Sequence, residues 1–122
     1  MSNFDPNLLP YFNPQVERRV CLITGGNSGL GYYTVLHLYL HGYDVYLAGR
    51  NKQRVLHAID SLNKEAVARR SKYSQSQSKK RYLGTLHYIQ IDLLSLNSVE
   101  EAAIEFKKRE KVLHLLILNA GI

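Results

Sequence analysis

The sequence has 122 residues, a single cysteine and a formal net charge of +6. That length bounds it to one domain with room for a core, and a lone cysteine excludes an internal disulfide. No apolar run is long enough for a transmembrane helix, and the amino terminus, broken by Asp5, Pro6, Pro10 and Pro14, lacks the apolar stretch of a secretory signal. These features lead us to expect a reducing, intracellular setting on the cytosolic side.

Residues 1–19 read as an extended arm whose Pro10-Tyr11-Phe12 packs aromatic surface onto the domain. Val20 to Thr24 form a first apolar strand, and Thr24-Gly25-Gly26-Asn27-Ser28-Gly29-Leu30-Gly31 a glycine-rich turn. The first helix runs from Gly29 to His41. Its Leu30, Val35, Leu36, Leu38 and Leu40 leave little polar face, and Gly42 suits a left-handed position after its end. Asp44 to Ala48 form a second strand. A second helix is expected from about Lys52 to Ala68, with Val55, Ile59, Leu62 and Ala66 at helical spacing on its buried face.

Arg69, Arg70, Lys72, Lys79, Lys80 and Arg81 then fall in a window, Ala66 to Ile91, that holds no acidic residue. Outside it the basic and acidic residues balance. The centre, Ser71 to Ser78, is Ser/Gln-rich without apolar periodicity, so residues 69–82 read as a solvated basic loop. Such a loop can touch a membrane or lipid-droplet surface; nucleic acid is the less favoured partner. Leu86 to Ile91 form a third strand, followed by Asp92-Leu93. A third helix is expected from about Asn97 to Arg109, with Ser98 and Glu101 as a capping box and Val99, Ala102, Ala103 and Phe106 as its buried stripe. Leu113 to Leu118 form a fourth strand leading into Asn119-Ala120-Gly121.

Strand alternating with helix implies an α/β fold: a parallel sheet with helices on both faces. Right-handed crossovers set the strand order at 3-2-1-4, a truncated, Rossmann-like, doubly wound βαβαβαβ arrangement. Residues 20–122 are thus expected to be the amino-terminal part of a dinucleotide-binding domain.

In such a sheet the ligand lies across the carboxyl ends of the strands. The glycine turn opens a helix there, where backbone N–H groups and the positive end of the helix dipole favour a pyrophosphate. After the second strand stand Gly49 and Arg50. An NAD site places a carboxylate near this point for the ribose 2′-hydroxyl, whereas a guanidinium can pair with the 2′-phosphate of NADP(H). Asp92 can accept the adenine amino group or simply hold its loop. Asn119, Ala120 and Gly121 are small enough to let a ribose lie against the backbone. The absence of Gly-Lys-Ser/Thr after the glycines argues against a nucleoside-triphosphate loop. His37, His41, His57, His87 and His114 have no evident metal-ligand partners, and Cys21 reads as a small core residue.

In this order and spacing, the Thr-Gly-x-x-x-Gly-x-Gly turn, Arg50, Asp92-Leu93 and Asn119-Ala120-Gly121 resemble the short-chain dehydrogenase/reductase family. Leu9-Pro10-Tyr11-Phe12, the Tyr33 to Gly42 stretch and Leu86-His87-Tyr88-Ile89 are similar to fungal, retinol-dehydrogenase-like members. The resemblance implies an NADP(H) oxidoreductase that transfers the pro-S hydride to or from an alcohol or carbonyl, often lipid-like. It implies cofactor roles for Gly25, Asn27, Ser28, Gly29, Leu30, Gly31, Arg50, Asp92, Leu93, Asn119, Ala120 and Gly121. Leu118 departs from the family's Asn-Asn-Ala-Gly, although Asn119 is kept on the cofactor side.

The family's catalytic Ser and Tyr-x-x-x-Lys fall in a second half that these residues do not include. Tyr32, Tyr33, Tyr39, Tyr43 and Tyr46 have no lysine four residues on, so no catalytic residue is assigned. Alternative readings are a non-enzymatic NADP(H)-binding or interaction module and an inactive truncated product. A homo-oligomer is compatible with all three.

Overall fold

The computed structural model describes residues 9–119. It contains β1 (Val20–Thr24), α1 (Gly29–Leu40), β2 (Asp44–Gly49), α2 (Lys52–Arg70), α3 (Gln75–Lys80), β3 (Thr85–Gln90), α4 (Leu96–Arg109) and β4 (Leu115–Leu118). The strands pair in parallel in the order β3-β2-β1-β4, which is the order right-handed crossovers require.

Side-chain alternation divides the sheet into two unequal faces. Cys21, Ile23, Val45 and Leu47 point to the face covered by α1 and α2 and join Val35, Leu36, Leu38, Val55, Leu62 and Ala66 in one core. Burial pushes the Cys21 thiol up to about 12, which leaves it an inert core residue. The opposite face carries Tyr46, which meets Phe106 of α4 edge to face, with Ile89 and Ala102 buried nearby. That second layer covers β2 and β3 and stops short of β4. Leu115 and Ile117 pack on the first core, while Leu116 and Leu118 are 52% and 68% exposed.

The arm seats as the aromatic residues suggested. Phe12 donates its N–H to the His41 carbonyl (2.8 Å), Tyr11 stacks on His41, and Phe12 meets Tyr43 edge to face. Its first part, residues 1–8, lies outside the described residues.

Four local readings need correction. The expected loop at 69–82 is largely helical: α2 continues to Arg70 and α3 occupies Gln75–Lys80. A capping box that composition concealed starts α3, with Ser74 Oγ accepting from Gln77 N–H and Gln77 Oε1 from Ser74 N–H. On α4 the cap is Ser95, whose Oγ accepts from Ser98 N–H, and not Ser98 itself. Ala103 is exposed on α4, where Ala102 is buried and Val99 and Phe106 are partly so, because α4 covers only part of its sheet face. Finally, β4 starts at Leu115 and not Leu113, since His114 is engaged at the head of β1: its Nδ1 accepts from Val20 N–H (3.0 Å) and its own N–H donates to the Val20 carbonyl.

A polar cluster ties the amino ends of the strands. Arg18, just ahead of β1, donates to Asp44 (Nε to Oδ2, 2.7 Å) and, with both terminal nitrogens, to Glu110 after α4. Thr85 Oγ1 donates to Asp44 Oδ1 (2.6 Å), and the Tyr46 hydroxyl donates to Glu110. Asp44 and Glu110 are buried, so each carboxylate depends on these partners. The Arg18 guanidinium, helped by the Tyr46 hydroxyl, holds the Glu110 carboxyl below its ordinary 4.5.

Two outcomes are expected. Glu110 contributes stability that is complete above its unfolded pKa and is lost as pH falls through the lower folded value. Glu110→Gln should therefore cost about 2 kcal/mol near neutral pH and flatten the acid limb of a Tm-against-pH curve. An acid limb unchanged by the substitution would contradict this coupling. Secondly, an edge strand with Leu116 and Leu118 exposed is a self-association surface. Sedimentation at low micromolar concentration should show assemblies, and Leu116→Lys with Leu118→Lys should shift them towards monomer. A monomeric parent chain would exclude that surface.

Candidate functional site

The carboxyl end of β1 turns directly into α1 through the glycine-rich segment. Gly31, in the first turn of α1, faces the Gly25 carbonyl so closely that a Cβ there would lie 2.1 Å from that oxygen and 2.5 Å from Asn119 Nδ2. Only a residue without a side chain lets helix, turn and β4 converge. Gly29 is constrained differently: its φ is +60°, yet nothing lies within 4 Å of where a Cβ would stand. It therefore leaves open space in front of the helix amino terminus.

That terminus has no side-chain cap. Ser28, the residue before α1, is extended and its side chain makes no capping hydrogen bond. By contrast Asn51, Ser74 and Ser95 each cap their own helices. A helix start without a side-chain cap among the described residues, with a favourable dipole and open space ahead of it, suits an anion. Leu30 contributes backbone here, its side chain being 63% exposed.

Asn119 acts as a brace. Its Nδ2 donates to the Gly25 carbonyl (3.0 Å), and its own carbonyl accepts from Thr24 Oγ1 (3.4 Å). Through Nδ2, the side-chain amide expected to face a cofactor holds the turn against β4. Ala120 and Gly121 lie outside the described residues.

The second strand delivers Arg50 exposed at its end, with its carbonyl accepting from Gln90 Nε2 (2.9 Å). Gly49 has a packing reason for its size: a Cβ would meet Val55 Cγ2 at 2.9 Å. Between the glycine turn and the start of α2 lies a cavity of about 480 Å³ lined by Asn27, Ser28, Asn51, Gln53, Arg54 and His57. Arg50 is not among its lining residues. Asn51, Arg54 and His57 were missed from sequence, although their three-residue spacing places them along one helix face. The lining carries a guanidinium and no carboxylate.

Asp92, at the end of β3, is used locally. Its Oδ1 accepts from Leu94 N–H (3.0 Å), its N–H donates to Ser98 Oγ (2.7 Å) and its carbonyl accepts from Ser95 N–H. The carboxylate thereby shapes the entry to α4, leaving Leu93 52% exposed beside it. The structure brings Gly25, Asn27, Ser28, Gly29, Gly31 and Asn119 together around one turn; Arg50, Asp92 and Leu93 stand at the ends of neighbouring strands.

Comparison with known proteins agrees with this geometry. The family model described as short chain dehydrogenase matches residues 19–122. The short-chain dehydrogenase/reductase drtF of Aspergillus calidoustus is 36% identical over 114 residues, a match covering 93% of this chain and 32% of that protein. Polyprenol dehydrogenase of Homo sapiens is 30% identical over 115 residues, covering 94% of this chain and 30% of that protein. Among solved structures, menthone neomenthol reductase from Mentha piperita superposes with a TM-score of 0.68 at 27% identity, over 86% of this chain and 32% of that one. A Pseudomonas aeruginosa RhlG/NADP complex shares the fold, with a TM-score of 0.65 at 22% identity over 85% of this chain and 35% of that one. The chain thus spans about a third of the length of the curated relatives it matches. With a family match across nearly all of the sequence and the sheet order to accompany it, the chain belongs to the short-chain dehydrogenase family.

Proposed function

We propose that this chain binds NADP(H) and forms the cofactor-holding part of an oxidoreductase that moves hydride between that cofactor and an alcohol or carbonyl. The observation that carries the reading is the uncapped amino terminus of α1, open in front of Gly29. Backbone N–H groups of residues 29–31 would hold the pyrophosphate, with Asn119 keeping the turn in place. The cavity beside Asn27, Ser28 and Arg54 would take the adenosine ribose end. When bound, the nicotinamide supplies or accepts the hydride.

Preference for the 2′-phosphorylated cofactor is supported by charge. From Val45 to Ile59 the chain has no carboxylate, and Arg50 and Arg54 flank the start of α2. A carboxylate would repel the 2′-phosphate, whereas a guanidinium offers it paired donors. For substrate, we propose a small or lipid-like alcohol or carbonyl, in line with relatives named as a polyprenol dehydrogenase and a menthone neomenthol reductase. None of the nine tyrosines has a lysine four residues on. The lysine charge is what lowers a tyrosine's pKa towards proton transfer in the family's pattern, so this chain supplies binding and orientation and no assigned proton donor.

Gly29→Ala separates folding from binding. The left-handed backbone should cost about 1 kcal/mol of stability, while the added methyl should weaken NADPH at least about tenfold by crowding the phosphate approach. Fluorescence titration alongside a thermal melt checks both, and full NADPH affinity in that variant would overturn the site. Arg50→Ala with Arg54→Ala should weaken NADPH relative to NADH by about 1.5–3 kcal/mol. Gly49 is left alone because of its contact with Val55. Unchanged discrimination would remove the proposed 2′-phosphate recognition. The purified 122-residue chain should bind cofactor without turning over alcohols or carbonyls; turnover that falls together with NADPH affinity in folded Gly29→Ala would show a proton donor we have not assigned.

A further inference from the structure

A second cavity, of about 640 Å³, opens where the carboxyl ends of α1 and α2 meet the arm and the segment around α3. It lies at the far end of α1 from the glycine turn, about 18 Å away along a 12-residue helix. Arg69, Lys72 and Arg81 line it together with Tyr11, Tyr73 and Glu65, and Leu40 and Ala68 add apolar surface. The cavity exists because the basic window folds back on itself. Arg70 Nη1 donates to the Arg81 carbonyl (2.7 Å), and the Arg81 guanidinium lies over both Tyr11 (4.7 Å) and Tyr73 (5.3 Å).

The cationic charge exceeds what the fold itself uses. Arg69 pairs with Glu65 (3.5 Å), the carboxylate among the lining residues, which leaves Lys72 and Arg81 to define the potential. The helix ends beneath are already served by other donors. Tyr43 N–H takes the Leu38 carbonyl of α1 and Gly42 and Gly84 N–H groups take that of Tyr39, while Ser71, Lys72 and Tyr73 N–H groups take the Val67, Arg69 and Arg70 carbonyls of α2. Ser71 Oγ also donates to the Ala68 carbonyl. Burial lowers the pKa of both His37 and His41, with Arg69 and Arg81 respectively opposing their protonation further.

We propose that this cleft binds a phosphate monoester, its phosphoryl group held by Lys72 and Arg81 and its organic part lying on Leu40, Ala68 and the tyrosine rings. Guanidinium forks and an ammonium are the donors that phosphate oxygens match. The cavity is several times larger than a bare phosphate and falls within the roughly 300–1,000 Å³ of small-molecule sites, which is why an ester is assigned. The phosphoryl group can come from a soluble ester or from the headgroup of an anionic lipid.

The test titrates the purified chain with inorganic phosphate and with glycerol phosphate. Thermal melts are read against chloride at matched ionic strength, and vesicles of phosphatidylcholine with and without phosphatidic acid are tested by co-sedimentation. A saturable rise in Tm is expected with phosphate, and Lys72→Glu should raise the half-saturating concentration about tenfold. Lys79→Glu with Lys80→Glu, basic residues of α3 outside the cavity, should leave it unchanged. If Lys72→Glu does not fold, Lys72→Gln gives the same comparison without introducing a repulsive charge. Binding to phosphatidic-acid vesicles that Lys72→Glu abolishes assigns the lipid source; glycerol phosphate binding without vesicle capture assigns the soluble one. A response no greater than that to chloride, or equal weakening by the cavity and α3 substitutions, overturns the proposal in favour of diffuse basic charge.

Discussion

The carboxyl end of this sheet depends on one steric constraint, the approach of Gly31 to the Gly25 carbonyl. With a Cβ placed only 2.1 Å from that oxygen, any other residue would push α1 away from β1 and displace Asn119 from its hydrogen bond to Gly25. The same contact fixes where the first N–H groups of α1 point. Fold and candidate site are therefore one feature here: the packing that brings helix, turn and β4 together also leaves an uncapped helix start open in front of Gly29.

The two ends of the sheet are built from opposite materials. At the amino ends, buried Asp44 and Glu110 are held by Arg18, Tyr46 and Thr85, a network that commits its polar groups to one another. At the carboxyl ends, the start of α1 has no side-chain cap and Arg54 lines an open cavity beside Asn27 and Ser28. A buried charge cluster is costly to assemble and destabilising to break, so it suits the end that specifies the fold. A helix start without a side-chain cap among the described residues suits the end that takes a ligand.

Sheet order and turn were legible because apolar strand periodicity, glycine spacing and right-handed crossovers all act locally or by strict geometric rule. The basic segment was misread for a physical reason. A short helix can be started by a reciprocal cap, as at Ser74 and Gln77, and then held by Arg70 and Arg81, with no apolar period to announce it. Ser95 was passed over as the α4 cap because Ser98 and Glu101 carry the same pattern three residues on; which serine caps depends on where β3 releases the chain. Asn119 and Asp92 show a further limit. Residue type announced polar groups at strand ends, but whether a side chain meets a ligand or braces its own loop is decided by tertiary geometry, and in both cases the loop claims hydrogen bonds. Arg54 and His57 were hidden because strand order brings the start of α2 near the glycine turn but does not say which side chains of that helix face Asn27 and Ser28.

The central claim, that the start of α1 receives the pyrophosphate of a nicotinamide dinucleotide, is tested most directly by backbone amide NMR of the 122-residue chain during NADPH titration. The account predicts that the largest shifts fall on the N–H groups of Asn27, Ser28, Gly29, Leu30 and Gly31, with smaller ones at Arg50 and Arg54. Saturable binding that leaves residues 27–31 unmoved, or no saturable shift at all, would contradict it.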